Sequence, residues 1–467
     1  MNREGGENPR LGHYGIIPRV KDSPPARPSR RALLARSAAF IALVTLSCGP
    51  QPVRVSGPPA RLTLVSPTLA VDAAQTLFAQ QANDAAREAG LALQYQTVSA
   101  SSLRAQLRST DAAGQFADVS IIASVDVPRL VARGLLREVR DTFERIAGVN
   151  GDLFPPLLDL ASAGPWTDLP SYRKPPIWAI PHLSVGSAWL VRSDLLGKKT
   201  IPPPNTFDEF RSAADQLTDA TAATYGWSAS LPLEDSVDDL AQTVLLDHGA
   251  GIFESTGLRI AFSAADVEAG LKAFAGLYRA DSGLSFAPPG SIDWSPADAA
   301  MAYSQGTVAQ TVDLGGLYFR IVSLAPKLRE QIQALPPPQG PKGRFTASPT
   351  SLLVVSRLSA VTDQAADFVE RLLSPARYDS LVRTGSGALV PPYAYLTKSP
   401  FWDDDPNYAT FAANARGDPA RAFQFATPGS PAPLTLSVAE VRGRQILASI
   451  LRSVVNGEVT PAAAAAA

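Results

Sequence analysis

Hydrophobic and polar positions in the first third of the chain follow the two periods that strands and helices produce. RLTLVS (61–66) and LALQYQTV (91–98) alternate residue by residue, and ADVSIIAS (117–124) is a continuous apolar strand. Between the first two, apolar residues recur at helical spacing up to Gly90, a C′ residue: Ala74, Leu77, Phe78, Ala82 and Ala85. SSLRAQL (101–107) is typical of a short helix. The order β-α-β-α-β predicts an α/β fold with a largely parallel sheet covered on both faces.

The remaining pattern also alternates strands with helices. Two apolar runs in IWAIPHLSVGSAWLVRSDLL (177–196) are separated by Pro181 and His182, and Thr206 with Glu209 has the spacing of a capping box. The other predicted elements are a helix over 266–280, a strand that enters a glycine turn in GTVAQTVDLGG (306–316), a Pro/Gly connector (335–343), a strand (351–356), a helix (363–373) and a last turn with Thr460 as N-cap and Pro461 at N1.

The N-terminal segment has the order of an export signal. Arg30 and Arg31 precede an uncharged run at 37–47 that is shorter than the roughly 20 residues needed to span a membrane. The pair followed by two leucines looks like a twin-arginine signal. Cys48, the single cysteine, follows in VTLSC, which is similar to the lipobox of bacterial lipoproteins. That resemblance implies cleavage before Cys48 and acylation of its sulfur. Residues 1–47 would be the export signal, by Tat or Sec, and 48–57 a tether.

Charge excludes one large class of partner. The chain has 42 basic and 43 acidic residues, and the basic ones are in excess only within the export signal. A mildly acidic body without a basic stripe gives phosphates little to bind, so we expect no nucleic-acid partner.

Motifs for catalysis or metal binding are lacking in the sequence. Of the histidines, only His182 and His248 remain beyond the export signal. Neither is accompanied by a catalytic nucleophile or by other metal ligands at a suitable spacing. WDDDPN (402–407) is a candidate calcium loop without the twelve-residue ligand rhythm, and a solvated loop is the alternative. We therefore expect a protein that is not an enzyme and carries no metal or cofactor.

Seven segments, taken in order, resemble the extracellular solute-binding proteins of ABC importers, and most closely their sugar-binding branch. These segments are FADVSIIAS, IWAIPHLSVGSAWLVRSDLL, PPPNTFDEF, YSQGTVAQTVDLGG, LPPPQGPKG, SLLVVSRLSAVTDQAADFVERLLSP and GEVTPAAA. The resemblance implies a two-lobed periplasmic-binding-protein-like fold (type II), each lobe a mixed, mostly parallel sheet flanked by helices. Lobe 1 would comprise 58–186 and 335–388, and lobe 2 would comprise 187–334 and 389–467. Hinge crossings are expected near 181–188 and 335–340.

A sugar site needs flat aromatic faces and polar side chains. From lobe 2 the candidates are Trp227, at the end of an apparent strand, and Trp294, in the irregular PPGSIDWSP. The resemblance adds Tyr318, which follows the glycine turn at an aromatic position of the sugar-binding branch. Asp313 at that turn would accept bonds from sugar hydroxyls. The alternatives are core packing for the tryptophans and helix capping for Asp313.

From lobe 1 the candidates are Ser66 and Ser124, at or just after the carboxyl ends of strands, and His182 at the first crossing. The alternative for His182 is a buried structural histidine. The expected function is a lipid-anchored, monomeric receptor that passes a mono- or oligosaccharide to an ABC permease outside the cytoplasm. Iron, polyamine or phosphate binding and a glycan-acting enzyme are the alternatives.

Overall fold

The structure is a computed structural model that describes residues 59–69, 71–109, 116–151, 153–163, 174–394, 398–416 and 424–467. The predicted export signal and the whole of the predicted tether, including Cys48, lie outside these residues. The strands in the described part are β1 (Ala60–Pro67), β2 (Leu91–Val98), β3 (Val119–Ala123), β4 (Ile180–Val185), β5 (Ala188–Arg192), β6 (Gln310–Asp313), β7 (Ile332–Leu335), β8 (Phe345–Thr346), β9 (Thr350–Val355), β10 (Leu389–Val390) and β11 (Gln424–Phe425).

Helices outnumber strands among the described residues. The α-helices in the described part are α1 (Asp72–Glu88), α2 (Ala100–Arg108), α3 (Val127–Ala132), α4 (Arg140–Asn150), α5 (Pro155–Ser162), α6 (Ser193–Lys198), α7 (Phe207–Leu217), α8 (Asp235–Asp247), α9 (Ala264–Ala275), α10 (Pro296–Ser304), α11 (Leu317–Leu324), α12 (Thr362–Leu372), α13 (Pro375–Thr384), α14 (Pro406–Arg416), α15 (Leu436–Arg442), α16 (Ile446–Asn456) and α17 (Pro461–Ala466). No helix among these residues is long and apolar enough to span a membrane.

The larger sheet has six strands in the order β10-β4-β9-β3-β1-β2. β1 pairs in parallel with β2 and β3, as the β-α-β-α-β pattern predicts. β9 arrives from the distant second part of the chain and runs antiparallel to both β3 and β4. The sheet is therefore mixed, and its parallel part is limited to the first three strands.

A three-stranded sheet, called the smaller sheet below, has the order β6-β5-β7 with both pairings antiparallel, and β8 and β11 form a separate parallel pair. The expectation of a mostly parallel sheet here differs from what the structure shows. The middle strand, β5, follows β4 after only two residues. Its two neighbours in the sheet, β6 and β7, come much later in the sequence.

The apolar periodicity of α1 forms one side of the first core. Phe78, Ala82 and Ala85 are buried against Leu62 and Leu64 of β1, together with apolar residues of α12 and α13. The helix ends at Glu88, and Gly90 follows with φ of 74°, as its predicted C′ role requires.

A second core surrounds the smaller sheet and is built from α7, α8, α9 and α16. The predicted capping box begins α7: Thr206 Oγ1 accepts from the Glu209 amide at 3.3 Å, and Glu209 Oε2 accepts from the Thr206 amide at 3.0 Å. The helix predicted over 266–280 is shorter at its carboxyl end, because α9 stops at Ala275 and the chain turns at Gly276.

The chain passes between the larger and the smaller sheet at two places. β4 belongs to the larger sheet and β5 to the smaller one, while the Pro-rich segment 336–349 leads from β7 back to β9. The exact division into lobes stays a prediction. Leu389 and Val390 pair with β4, which favours a boundary slightly beyond residue 388.

Candidate functional site

A cavity of about 670 Å³ lies at the ends of the larger sheet. Ser66 at the end of β1, Ser124 just after β3 and His182 in β4 all line it, together with Ser351 of β9. The structure thus brings together the three candidates that the sequence places in lobe 1. Strand ends of open α/β sheets commonly form ligand sites.

The two serines are buried beside the cavity, with 2% of Ser66 and 6% of Ser124 exposed. Ser66 Oγ lies 2.8 Å from Tyr95 Oη. Ser124 opens a short 3₁₀ turn that ends at Asp126. Their hydroxyl groups supply hydrogen-bonding capacity next to the cavity without charge.

His182 is the most enclosed of the three lobe 1 candidates, because only 1% of it is exposed. Burial lowers its pKa to about 3, so the imidazole is neutral at physiological pH. Nδ1 lies 3.5 Å from Ser351 Oγ, whereas Nε2 has no hydrogen-bond partner among the described residues. The ring packs between Phe78 and Tyr378, with centroid distances of 5.6 and 6.2 Å.

One wall of the cavity is a face of α2. Ser101, Arg104 and Arg108 line the cavity and are spaced so that they share one helical face. Leu103 and Leu107 on the adjoining face are buried in a core with Ile122 of β3. The amphipathic pattern of α2 thereby fixes two arginines at the cavity.

The facing wall is the first part of α8, an acidic segment. Asp235, Ser236, Asp238 and Asp239 line the cavity, while apolar residues of the same helix are buried in the second core. The sequence signal for this wall was the acidic run EDSVDD at 234–239, which our sequence prediction did not use.

Arg104 joins the two walls. Its Nη1 donates to Asp235 Oδ1 at 2.6 Å and its Nη2 pairs with the other carboxylate oxygen, while Nε donates to Asp126 Oδ2 at 3.4 Å. Burial would raise the pKa of Asp235, but the hydrogen bond and charge of Arg104 outweigh it and lower the pKa. Burial does raise the pKa of Asp126, against the opposing charge of Arg104.

A second arginine neutralises the rest of the acidic wall. Arg442 Nη1 lies 2.6 Å from Asp238 Oδ2, and Nη2 pairs with Asp239. Asp238 Oδ1 also accepts from the Ala448 amide at 2.9 Å. Burial raises the pKa of Asp239 to about 7, with Arg442 opposing the shift.

The two tryptophan candidates do not line the cavity. Trp227 is fully buried, and its ring lies 5.1 Å from that of Trp189 within a cluster of aromatic side chains. Trp294 is half-buried against the first core, and its carbonyl accepts from Ser230 Oγ at 2.6 Å. The structure therefore places both in packing roles, which was the alternative for each.

Asp313 and Tyr318 also lie outside the cavity lining. Asp313 is fully buried and accepts from the amides of Gly315, Leu317 and Tyr318 at 2.7 to 3.1 Å, so it caps α11. Burial raises its pKa, and those amide hydrogen bonds oppose the shift. Tyr318 Oη donates to Asp405 Oδ2 at 2.6 Å in the first core.

The glycine turn after β6 nevertheless reaches the cavity through Leu314 and Gly315. Gly315 has φ of 141°, and a Cβ built there would lie 2.5 Å from Cγ1 of Val185 at the end of β4. Only glycine allows this close approach between the turn and the larger sheet. The turn thus helps to enclose the cavity by its backbone.

Metal binding has no support among the residues that the structure describes. No group of three or more His, Cys, Asp and Glu side chains in that part of the chain is arranged to hold an ion. Asp405 of WDDDPN is buried, and its carboxylate accepts from Tyr318.

Comparison with known proteins assigns the chain to a class. Residues 71–377 match the family model described as bacterial extracellular solute-binding protein, which covers well over half of the sequence. The chain belongs to this family of binding proteins. A comparison with curated proteins gives no match.

Solved structures show the same two-lobed fold. An ABC transporter solute-binding protein of Thermotoga lettingae bound with alpha-D-tagatose has a TM-score of 0.67 at 17% identity, covering 87% of this chain and 96% of that chain. Maltose-bound T. maritima MalE3 has 0.69 at 14%, and a sugar transporter of Arthrobacter chlorophenolicus with bound laminaribiose has 0.68 at 15%; each covers 87% of this chain and 97% of its own. The α/β, periplasmic-binding-protein-like fold is confirmed.

Proposed function

We propose that the chain is the receptor of an ABC importer and binds a neutral sugar or polyol in the cavity between α2 and α8. The observation that carries this proposal is the lining of that cavity. Ser66, Ser124 and Ser351 line it, and the two arginines that contact its acidic wall are each paired with carboxylates. A volume of about 670 Å³ falls in the range of small-molecule sites.

The comparisons support the same ligand class. Similar structures carry tagatose, maltose and laminaribiose. In this chain the rings at the cavity belong to Phe78 and His182, both almost completely buried. We therefore expect recognition here by hydrogen bonds to ligand hydroxyls more than by stacking on a broad aromatic face.

A charged ligand is the second candidate within the binding class. Iron, polyamine or phosphate binding would require charges free to bind the ligand. Arg104 and Arg442 are each bonded to two aspartates, so a phosphate or a polyamine that bound at these groups would have to displace an existing ion pair, at a cost in energy. Arg108 and Glu234 also line the cavity and are the charges that such a ligand would use instead.

Ligand capture would proceed by movement of the two lobes. A ligand drives closure only through its greater affinity for the closed arrangement, so contacts from both walls are needed. The closed receptor then docks on the permease, whose partner subunit hydrolyses ATP. We infer binding without catalysis, and a monomeric receptor.

The membrane anchor is a separate part of the proposal. Lipid on Cys48, after cleavage of residues 1–47, would hold the receptor at the outer face of the cell membrane, with 48–57 as tether. One acyl chain binds membranes only marginally, so more than one is required. Mass spectrometry of the mature N-terminus tests this: a chain that begins with acylated Cys48 is expected, and an unmodified Cys48 still preceded by Ser47 contradicts it.

A thermal-shift screen tests the ligand class. The panel contains D-tagatose, D-mannitol, maltose, laminaribiose, spermidine, inorganic phosphate and ferric citrate. Binding to the native state raises the melting temperature, and we expect this for at least one sugar or polyol. A shift with only spermidine, phosphate or iron would contradict the proposal, and release of free sugars from the oligosaccharides would favour an enzyme.

A further inference from the structure

The ion pair between Arg104 and Asp235 connects two parts of the molecule that have separate hydrophobic cores. Arg104 is fixed by Leu103 and Leu107, which are buried in the core that covers the larger sheet. Asp235 begins α8, whose Val237 and neighbouring apolar residues are buried in the core of the smaller sheet. A relative movement of these two cores must therefore break the pair.

The geometry of this pair is that of a strong contact. Nη1 donates to one carboxylate oxygen and Nη2 to the other, which is a bidentate arrangement. The two side chains are 13% and 28% exposed, so water screens the pair only in part. Gln445 Nε2 also donates to Asp235 Oδ1 at 3.2 Å, which holds the carboxylate in place.

We propose that the Arg104–Asp235 pair is a latch that holds the two lobes together across the cavity before any ligand binds. The unliganded receptor then already populates the closed arrangement. A ligand that prefers this arrangement does not have to supply all of the closing free energy, and its apparent affinity rises with the closed fraction.

A second set of ion pairs joins the same two cores. Arg442 of α15 pairs with Asp238 and Asp239 of α8, and both side chains of the Arg442–Asp238 pair are at most 2% exposed. Val438 and Ala439 of α15 are buried in the same core as Leu103, so these pairs act beside the latch. Arg104–Asp235 is the more exposed pair and directly joins α2 to α8 along the cavity.

The latch is tested without ligand by double electron–electron resonance on the full chain carrying Cys48→Ser. Spin labels are attached to cysteines that replace Gln80 on α1 and Glu268 on α9. Both positions are exposed, and the two helices pack in different cores. Asp235→Asn and Arg104→Gln each remove the charge attraction. The matched control is Asp84→Asn, which removes the Asp84–Arg87 pair within α1. Circular dichroism melting confirms that each variant is folded.

We expect the unliganded protein to show a short distance. Asp235→Asn should add a longer one and raise the ratio of open to closed receptor about fivefold, the order expected for a partly screened ion pair. Arg104→Gln should do the same, the double variant should exceed neither single variant, and Asp84→Asn should leave the distribution unchanged. Unchanged distances in both single variants, or additive effects in the double variant, would overturn the latch and assign closure to the apolar contacts of α15.

The latch deepens the proposed function but can fail independently of it. For whichever panel sugar binds, the Kd should rise about fivefold in Asp235→Asn, in step with the open fraction. A distance change in a protein that binds none of the sugars would support the latch and refute the ligand class. Sugar binding without a distance change in the variants would support the ligand class and refute the latch.

Discussion

Arg442 and Asp238 form an ion pair in which Nη1 and Oδ2 are 2.6 Å apart and both side chains are at most 2% exposed. Removing one partner of a buried pair leaves an uncompensated charge, which destabilises a protein by about 3–5 kcal/mol. Arg442→Met should lower the free energy of unfolding by that amount in urea titrations. Arg444→Met, at an exposed position two residues away, is the control, and equal stability of the two variants would contradict the role of the pair.

The buried imidazole of His182 makes stability depend on pH. Its folded-state pKa of about 3 lies below the unfolded value of 6.5, so the unfolded chain binds the additional proton. The stability that depends on neutral His182 is therefore complete above pH 6.5 and falls by up to about 1.4 kcal/mol per pH unit between 6.5 and 3.

The difference in unfolding free energy between the wild type and His182→Gln should accordingly shrink as the pH is lowered from 7.5 to 5. Urea titrations at three pH values measure it. Buried carboxyl groups with raised pKa, such as Asp239, titrate in both proteins and cancel in the difference. A difference that does not change with pH would contradict burial of a neutral histidine.

Trp227→Ala should lower the stability of the folded protein. Its ring is fully buried among aromatic neighbours, and truncation of such a residue lowers the free energy of unfolding by about 3–5 kcal/mol. Trp294→Ala removes a half-buried side chain and should have a smaller effect. Calorimetric melting gives both values, and a fully stable Trp227→Ala with weakened sugar binding would restore the tryptophan platform of the sequence prediction.

Ser124→Ala should weaken the binding of the sugar. Loss of one hydrogen bond to a ligand hydroxyl corresponds to about 1 kcal/mol, or roughly a fivefold rise in Kd. Isothermal titration with the sugar identified by the screen measures it. Ser212→Ala, an exposed serine on α7, is the matched control, and equal affinities in the two variants would remove Ser124 from the site.

Local sequence signals predicted the elements but only part of the site. The period of α1, the capping box of Thr206 and the glycine after α1 depend on residues a few positions apart, so they are visible in the sequence. The same logic predicted Ser66 and Ser124 as candidates, because the carboxyl ends of neighbouring parallel strands meet at one edge of a sheet, and both line the cavity.

Partners that are far apart in the sequence were not predictable in this way. Arg104 and Asp235 are separated by 131 positions, and nothing local shows that they meet. Trp227 was misleading for a related reason. The stretch before it forms only isolated bridges, between Thr224 and Asp219 and between Tyr225 and Val308, and is not a strand. An apparent strand end therefore gave no information on where the side chain points.

We propose that a neutral sugar or polyol binds between α2 and α8. The decisive experiment is a crystal structure of the protein with the panel compound that gives the largest thermal shift. We predict ligand density inside the cavity, within hydrogen-bonding distance of Ser66 or Ser124 and in contact with both walls. Density at any other place on the protein, or an empty cavity at saturating ligand, would contradict the claim.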